Sequence, residues 1–428
     1  MTNPLDAITK FYLESRQFNG YPFVNLEQKL GMNFHDAFKF VIENVSNGVL
    51  TVVFGDIHPN PHIKAFSDEP QKVTIEKLDK HKDTLSGNYH ICLYPTRLHL
   101  EKIVNPEKYR EKPYTYEMAL GAGRLEFRFF DLVVLEFYRN DPRYYYRCDD
   151  IYGSISIHDE YYDSNSMPEK DKVLLNTFGF AYNKSNHRVV TTFVGYLSHL
   201  SSEHQQIWKN RELNATEYSP HPDYVRSSIL GDWGEGIPIC AAFTMELKII
   251  NQMCNAMNKP SLFLKDFNGD NRPRNFYFLV RPTHKEYYDF VGLLDKMMSD
   301  NINKKFFEND ISCEEENVRS DSKIVVKSKG TIRLFEEWMN KYYHPKDQEP
   351  IDSIFKAFRR VRKERQRPAH AIDDNKFDQK YFTDQRQILK EAYVAIRTIR
   401  LVLTNFPAVK SGNIDIPQTL FEGKIWTI

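Results

Sequence analysis

The residues with the clearest chemical potential stand together between 356 and 370. From Lys356 to Arg367 the chain sets seven basic side chains (Lys356, Arg359, Arg360, Arg362, Lys363, Arg365 and Arg367) against one acid, Glu364. His370 follows, in the order Arg365-Gln-Arg-Pro-Ala-His370, the only Arg-x4–6-His spacing in the chain. Cutting a phosphodiester without a metal needs a group that titrates near neutrality, to take the 2′-hydroxyl proton or protonate the leaving oxygen, and imidazole is the natural choice. It also needs a fixed cation for the charge that builds on phosphate, which a guanidinium meets with a planar fork of donors. A basic run by itself is also what a solvated helix face looks like near the negative end of the helix dipole. The Arg–His pair inside it turns the reading toward phosphate.

The elements that must position this pair read as helical. Thr283-His-Lys-Glu286 is a capping box, in which the Thr hydroxyl accepts from the amide three residues on. The helix behind it puts Tyr287, Phe290, Leu294, Met297 and Met298 on one stripe. A polar stretch over 308–323 predicts a loop. A second helix carries Ile332, Phe335, Trp338, Met339 and Tyr342, and a third begins near Pro350 with Ile351, Ile354, Phe355, Phe358 and Val361 facing inward. A fourth carries Ile388, Leu389, Tyr393, Ile396, Ile399 and Leu403 before Asn405 and Pro407 end it. Four amphipathic helices joined by short or medium loops describe an antiparallel bundle over 283–428. Pro368 disfavours a helical conformation at Arg367. On an unbroken helix Arg365 and His370 would lie about 140° apart; a break at Pro368 either brings them toward a shared site or simply ends a structural helix.

Residues 1–282 read differently, as an α+β region. Thr51–Phe54, Lys72–Leu78, His90–Tyr94 and Leu125–Phe129 predict strands, rich in branched and aromatic residues. Tyr144–Arg147 with Ser154–His158, and Thr177–Tyr182 with Arg188–Gly195, predict two hairpins. Helices are expected over Asp36–Asn44, Ser202–Arg211 and Pro238–Met257. The fold class is therefore α+β, with a mixed N-terminal region of one or two subdomains followed by an all-α bundle.

A compact helical bundle with an R-x4–6-H motif resembles the HEPN superfamily, and the likeness covers about residues 283–428. The resemblance implies a metal-independent endoribonuclease without cofactor, of the kind used as toxin-like effectors in anti-phage defence. It also implies a homodimer in which two motifs form one composite site, and a phage-derived trigger or a neutralising partner. Carried onto this chain, it makes Arg365 and His370 catalytic. Arg359, Arg360, Arg362, Lys363 and Arg367 become the groups that guide RNA, and residues 1–282 a sensing or regulatory region. Where active members often have Asn, Asp or His directly after the Arg, this chain has Gln366. The alternative from another class is a non-catalytic bundle that dimerises and docks a protein or nucleotide.

Composition bounds these readings. With 58 Lys+Arg against 58 Asp+Glu, the zero net charge excludes a diffuse cationic coat and leaves room for a local site. Five scattered cysteines with no CxxC argue against a disulfide frame or zinc knuckle. No long apolar run suggests a membrane span, and the first residues do not read as a secretory leader, so a cytoplasmic protein is expected. Other constellations read as structural. Asp56, His58 and His62 sit in a proline-rich loop, with His90 and His99 as further metal candidates. Leu120-Gly-Ala-Gly-Arg124 lacks a full phosphate-cradling pattern. Tyr138–Arg147 interleaves aromatic and basic side chains as single-strand binders do, but a half-exposed strand does so too. His204 is expected on a helix surface. An unrecognised N-terminal hydrolase remains a third option, which a buried polar pocket would support.

Overall fold

The computed structural model describes every residue except 1–2, 66, 150, 164–166, 233–235, 268–271, 319–323, 368–373, 413 and 427–428. It is an α+β protein of two compact units. The first comprises residues 1–147 and 151–234, and the second residues 148–150 and 235–428. No helix among the described residues is long and apolar enough to cross a membrane.

In the first unit a small antiparallel sheet has the order β1 (Tyr21–Pro22), β3 (Cys92–Pro95), β2 (Leu50–Val53). Helices α1 (Pro4–Glu14), α2 (Phe34–Ser46) and α3 (Gln71–Lys80) belong with it. Ile8, Val41, Leu78 and Leu93 are shared in one buried cluster. Lys72–Leu78, expected as a strand, is helical. Its branched residues suggested a strand, but Thr74 and Leu78 fall four apart on one buried face, which is a helical period.

A second sheet runs β4 (Phe127–Phe130), β8 (Arg188–Phe193), β7 (Leu174–Tyr182), β6 (Tyr152–Ile157), β5 (Tyr144–Cys148), with β9 (Ser219–Pro220) also on β7. Both expected hairpins are present in it. Every residue of β8 is buried, as suits a central strand, whereas β5 alternates buried and exposed. Helices α4 (Ser202–Lys209) and α5 (Pro222–Ile229) follow. His204 is buried and not on the surface as expected. Its Nδ1 lies 2.8 Å from the Tyr138 hydroxyl, which accepts from Trp208 Nε1 at 2.9 Å. Burial holds its imidazole below the usual pKa.

The second unit contains the four expected helices: α7 (His284–Met298), α8 (Thr331–Tyr342), α9 (Glu349–Gln366) and α10 (Lys380–Leu403). Thr283 caps α7 as its sequence requires, its hydroxyl accepting from Glu286 N at 3.3 Å. Two features change the expected boundary and class. Helix α6 (Ile239–Ala256), placed by sequence in the N-terminal region, packs against α10 and shares its core, so the main segment of this unit begins at residue 235 and not at 283. The polar stretch expected as a loop contributes an antiparallel hairpin, Glu314–Val318 with Ile324–Ser328, so the region is not all-α. Alternation there is weak because little of the hairpin is buried, which hid it from a period-two reading. Helix α9 packs on α7, α8 and α10.

An ion pair crosses the core of this unit between α6 and α10. Glu246 of α6 and Arg400 of α10, both wholly or almost wholly buried, form an ion pair through Oε2 and Nε. Burial raises the Glu246 carboxyl above its usual range, against the pull of Arg400 and Arg397. Its Oε1 and Arg400 Nη2 find no partner among the described residues. Glu246→Gln is expected to cost about 3–5 kcal/mol, since it strands a buried guanidinium, while Glu246→Leu with Arg400→Met restores most of that loss. Chemical unfolding of the full chain measures both. Equal stability of Glu246→Gln and the unsubstituted protein would contradict the assignment.

Candidate functional site

The basic run forms the second half of α9, with Ile354, Phe355, Phe358 and Val361 buried on the opposite stripe. It is not an open cationic surface. Arg359 pairs with Glu336 of α8, Arg360 with Glu391 of α10, and Arg367 with Glu364 at 2.8 Å. Arg362 and Arg365, three apart and so on one face, share two carboxylates. Arg362 gives Nε to Asp295 at 3.1 Å and Nη2 to Asp300 at 2.7 Å. Arg365 gives Nη1 to Asp295 at 2.6 Å and to Asp300 at 2.7 Å. Five of the seven cations therefore have acidic partners, which shrinks the positive field that sequence alone suggests. Lys356 and Lys363 are exposed and have no partner among the described residues.

Asp295 explains why this arrangement holds. It lies in the last turn of α7, where the helix dipole disfavours negative charge, and it is wholly buried. Two guanidiniums from the end of α9 meet it there, where the dipole of their own helix favours cations. Hydrogen bonds donated to Asp295, then to Asp300, raise Arg365 above its ordinary pKa. It stays a cation at every working pH. Only its Nη1 is committed: Nε and Nη2 have no partner among the described residues, and the side chain is about one-third exposed (36%). A guanidinium held at one nitrogen with its other edge free can receive a phosphate in a set orientation.

Arg367 is helical (φ −55°, ψ −47°), although the residue before a proline disfavours that region. Its amide donates to Glu364 O, and its side chain pairs with the same residue, which closes the helix with a tight last turn. Arg367 thus keeps the helical conformation that Pro368 is expected to disfavour, and the expected break at Pro368 itself lies outside the described residues. Pro368 and His370 lie outside the described residues. Asn375–Asp378 docks onto the start of α7: His284 N donates to Lys376 O at 2.8 Å, Lys285 N to Asn375 Oδ1 at 3.0 Å and Asp378 N to Pro282 O at 2.9 Å.

Sequence reasoning did not single out Asp295, Asp300 or Lys390. The signal for the first was an acid standing within the apolar stripe of α7, eight residues after Tyr287 and four after Val291. Lys390 joins Lys356 and Arg360 along a groove of about 400 Å³ between α9 and α10, with Glu391 as its acid. The constellations set aside do not converge. Asp56 pairs with Lys77 at 2.5 Å, His58 Nδ1 accepts from Asn60 N at 3.0 Å, and His62 Nδ1 lies 3.0 Å from Gly20 O. His99 Nε2 lies 3.2 Å from the Thr9 hydroxyl. Among the described residues no group of three or more His, Cys, Asp or Glu is placed to hold a metal. Gly121, at φ +90°, makes a turn before β4, and Arg124 reaches Gln17. Tyr138, Tyr144 and Tyr146 are buried, and Tyr145 and Arg147 are exposed. No protein-family model, curated protein or solved structure matches this chain.

The Asp300 carboxyl is held below its usual range: partial burial opposes this, but Arg365 and Arg362 outweigh it. Its stabilising effect is therefore complete above the unfolded-state value, from about pH 5 upward, and is lost as pH falls through the depressed folded value. Stability of the full chain measured between pH 6 and 3 is expected to fall less steeply in Asp300→Asn than in the unsubstituted protein. Parallel curves would show that Asp300 contributes nothing to acid sensitivity.

Proposed function

We propose that the C-terminal unit is a HEPN-like bundle that cuts RNA without a metal, as a toxin-like effector in defence against phage. The observation that carries this reading is the Arg365 guanidinium: fixed through Nη1 by two carboxylates, presenting a free edge, and five residues before the only histidine in a motif of this spacing. Arg365 binds the scissile phosphate and neutralises charge as it builds. His370 takes the 2′-hydroxyl proton while that oxygen attacks phosphorus. The P–O5′ bond breaks, and a second His370 returns a proton to the leaving oxygen. The products are a 2′,3′-cyclic phosphate and a 5′-hydroxyl. One motif holds too few groups for both acid and base, so two copies meet in a homodimer. Lys356, Lys363 and Lys390 guide the backbone, with Arg360 beside them in the groove between α9 and α10.

A second reading is favoured by the pairing of five cations in the run. On that reading Arg362 and Arg365 are structural ties, and the bundle docks a partner without chemistry.

The full chain, incubated with total RNA in EDTA and activated with phage lysate, separates the two. Cyclic-phosphate ends are expected from the unsubstituted protein, with a loss of at least about 10²-fold in His370→Ala and in Arg365→Ala. Absence of cleavage, or cleavage by both variants as fast as by the unsubstituted protein, defeats the nuclease reading. RNA binding that survives His370→Ala without products supports the second. Replacing Lys356 and Lys390 by Glu is expected to weaken RNA binding and flatten its salt dependence by about two charges' worth of slope. An unchanged slope would remove that groove from the RNA path.

A further inference from the structure

The core of the second unit holds a cluster of polar groups that the RNA reading does not use. Tyr393, Arg397 and Arg400 follow one another at intervals of four and three residues along α10, on successive turns of one face. Glu246 of α6 joins them through its ion pair with Arg400. Glu246, Tyr393 and Arg400 are all but closed to solvent, with 0%, 4% and 2% of their surface exposed. Arg397 is half-buried, but its Nε is shut off from solvent.

Four atoms of this cluster are buried and find no hydrogen-bond partner among the described residues: the Tyr393 hydroxyl, Arg397 Nε, Arg400 Nη2 and Glu246 Oε1. Three of the four are donors, since a guanidinium only donates and the phenol keeps its proton at neutral pH. Burial, then the Glu246 charge, pushes that phenol up to about 12, against the pull of Arg397 and Arg400. The same two guanidiniums act on Glu246, so the four side chains share one electrostatic neighbourhood.

The charges are out of balance in the same direction. Two guanidiniums stand with one carboxylate, and like charges three apart on a helix repel. Glu246 answers Arg400, while no acid among the described residues answers Arg397. The chain closes over Arg397 at Gly423, whose φ of +70° lies in the left-handed region. A Cβ there would stand 3.1 Å from Arg397 Nη2 and 3.4 Å from Nη1. The acid beside that glycine, Glu422, is engaged by Lys424 at 2.9 Å and by Gln418. Surplus donors and an unanswered positive charge are both costly inside a core, and a monovalent anion relieves both together. A metal cation or a neutral ligand would leave the charge unanswered. Closure from solvent limits the occupant to an ion of one or a few atoms.

We propose that this cluster binds a monovalent anion of halide size, chloride, between the Tyr393 hydroxyl, Arg397 Nε and Arg400 Nη2. Arg400 meets the charge of Glu246, and Arg397 that of the anion. The inference concerns the core of the second unit and stands whether or not that unit cuts RNA.

Thermal unfolding of the full chain at neutral pH, in sodium chloride and in sodium gluconate at matched ionic strength, tests it. Chloride is expected to raise the midpoint saturably, by at least about 2 °C, and bromide to do the same, while the larger gluconate does not. Broadening of the chloride NMR line by the folded protein, reversed by bromide, reports the same binding directly. Tyr393→Phe removes one hydroxyl and keeps the ring in the core, and is expected to weaken chloride binding about tenfold. Arg397→Met is expected to abolish it. Equal midpoints in chloride and gluconate, with no line broadening, overturn the proposal. So does a chloride effect that both variants retain in full.

Discussion

A carboxylate taken fully out of water costs several kcal/mol unless cations meet it with good geometry. Asp295 is such a group, and the C-terminal unit is arranged around that requirement. Arg362 and Arg365 must reach it, which ties the end of α9 to the end of α7. Glu246 and Arg400 impose the same demand between α6 and α10. The large apolar cluster over these helices supplies most of the favourable burial energy, but apolar contact tolerates sliding. Buried charge does not, because a shift of one turn strands an ion. In this account the two polar ties set which helix ends meet, while the apolar stripes hold the helices together.

This division of labour bears on how the basic helix is read. A run of seven cations looks like a surface for polyanions, yet five of them already have carboxylates. The cations of the run that face outward without partners among the described residues are the lysines at 356 and 363, whose compact charges suit non-specific backbone contact better than bidentate recognition. On the proposed reading Arg365 spans both roles. One nitrogen is consumed in holding the helix end, and what remains of its fork is positioned by that same attachment. A structural tie of this sort preorganises a phosphate contact, since its orientational cost is met on folding.

Much of the second unit was legible because its helices obey one period and carry their punctuation. Thr283 with Glu286, Pro350 in the first turn of α9, and Asn405 with Pro407 after α10 all mark ends found in the structure. What escaped was tertiary. Helix α6 is apolar enough to read as core anywhere, and only its packing on α10 assigns it to this unit. Lys72–Leu78 carries Val73, Thr74 and Ile75 in a row, a local preference for strand that its buried face overrides. Asp295 and Glu246 stood as acids inside apolar stripes, and an acid in such a stripe implies a buried partner. Sequence could name the demand and not the residue that answers it.

The claim that Asp295 governs the register of α9 is tested most directly by a double-mutant cycle on the full chain. Asp295→Asn forms one arm and Arg362→Gln with Arg365→Gln the other, with unfolding free energy as the readout. If the tie acts as described, the losses are strongly non-additive, with a coupling of at least about 1 kcal/mol, because either arm alone already breaks the network. Losses that add to within about 0.5 kcal/mol would show that the carboxylate and the two guanidiniums stabilise the protein independently, and would contradict the account.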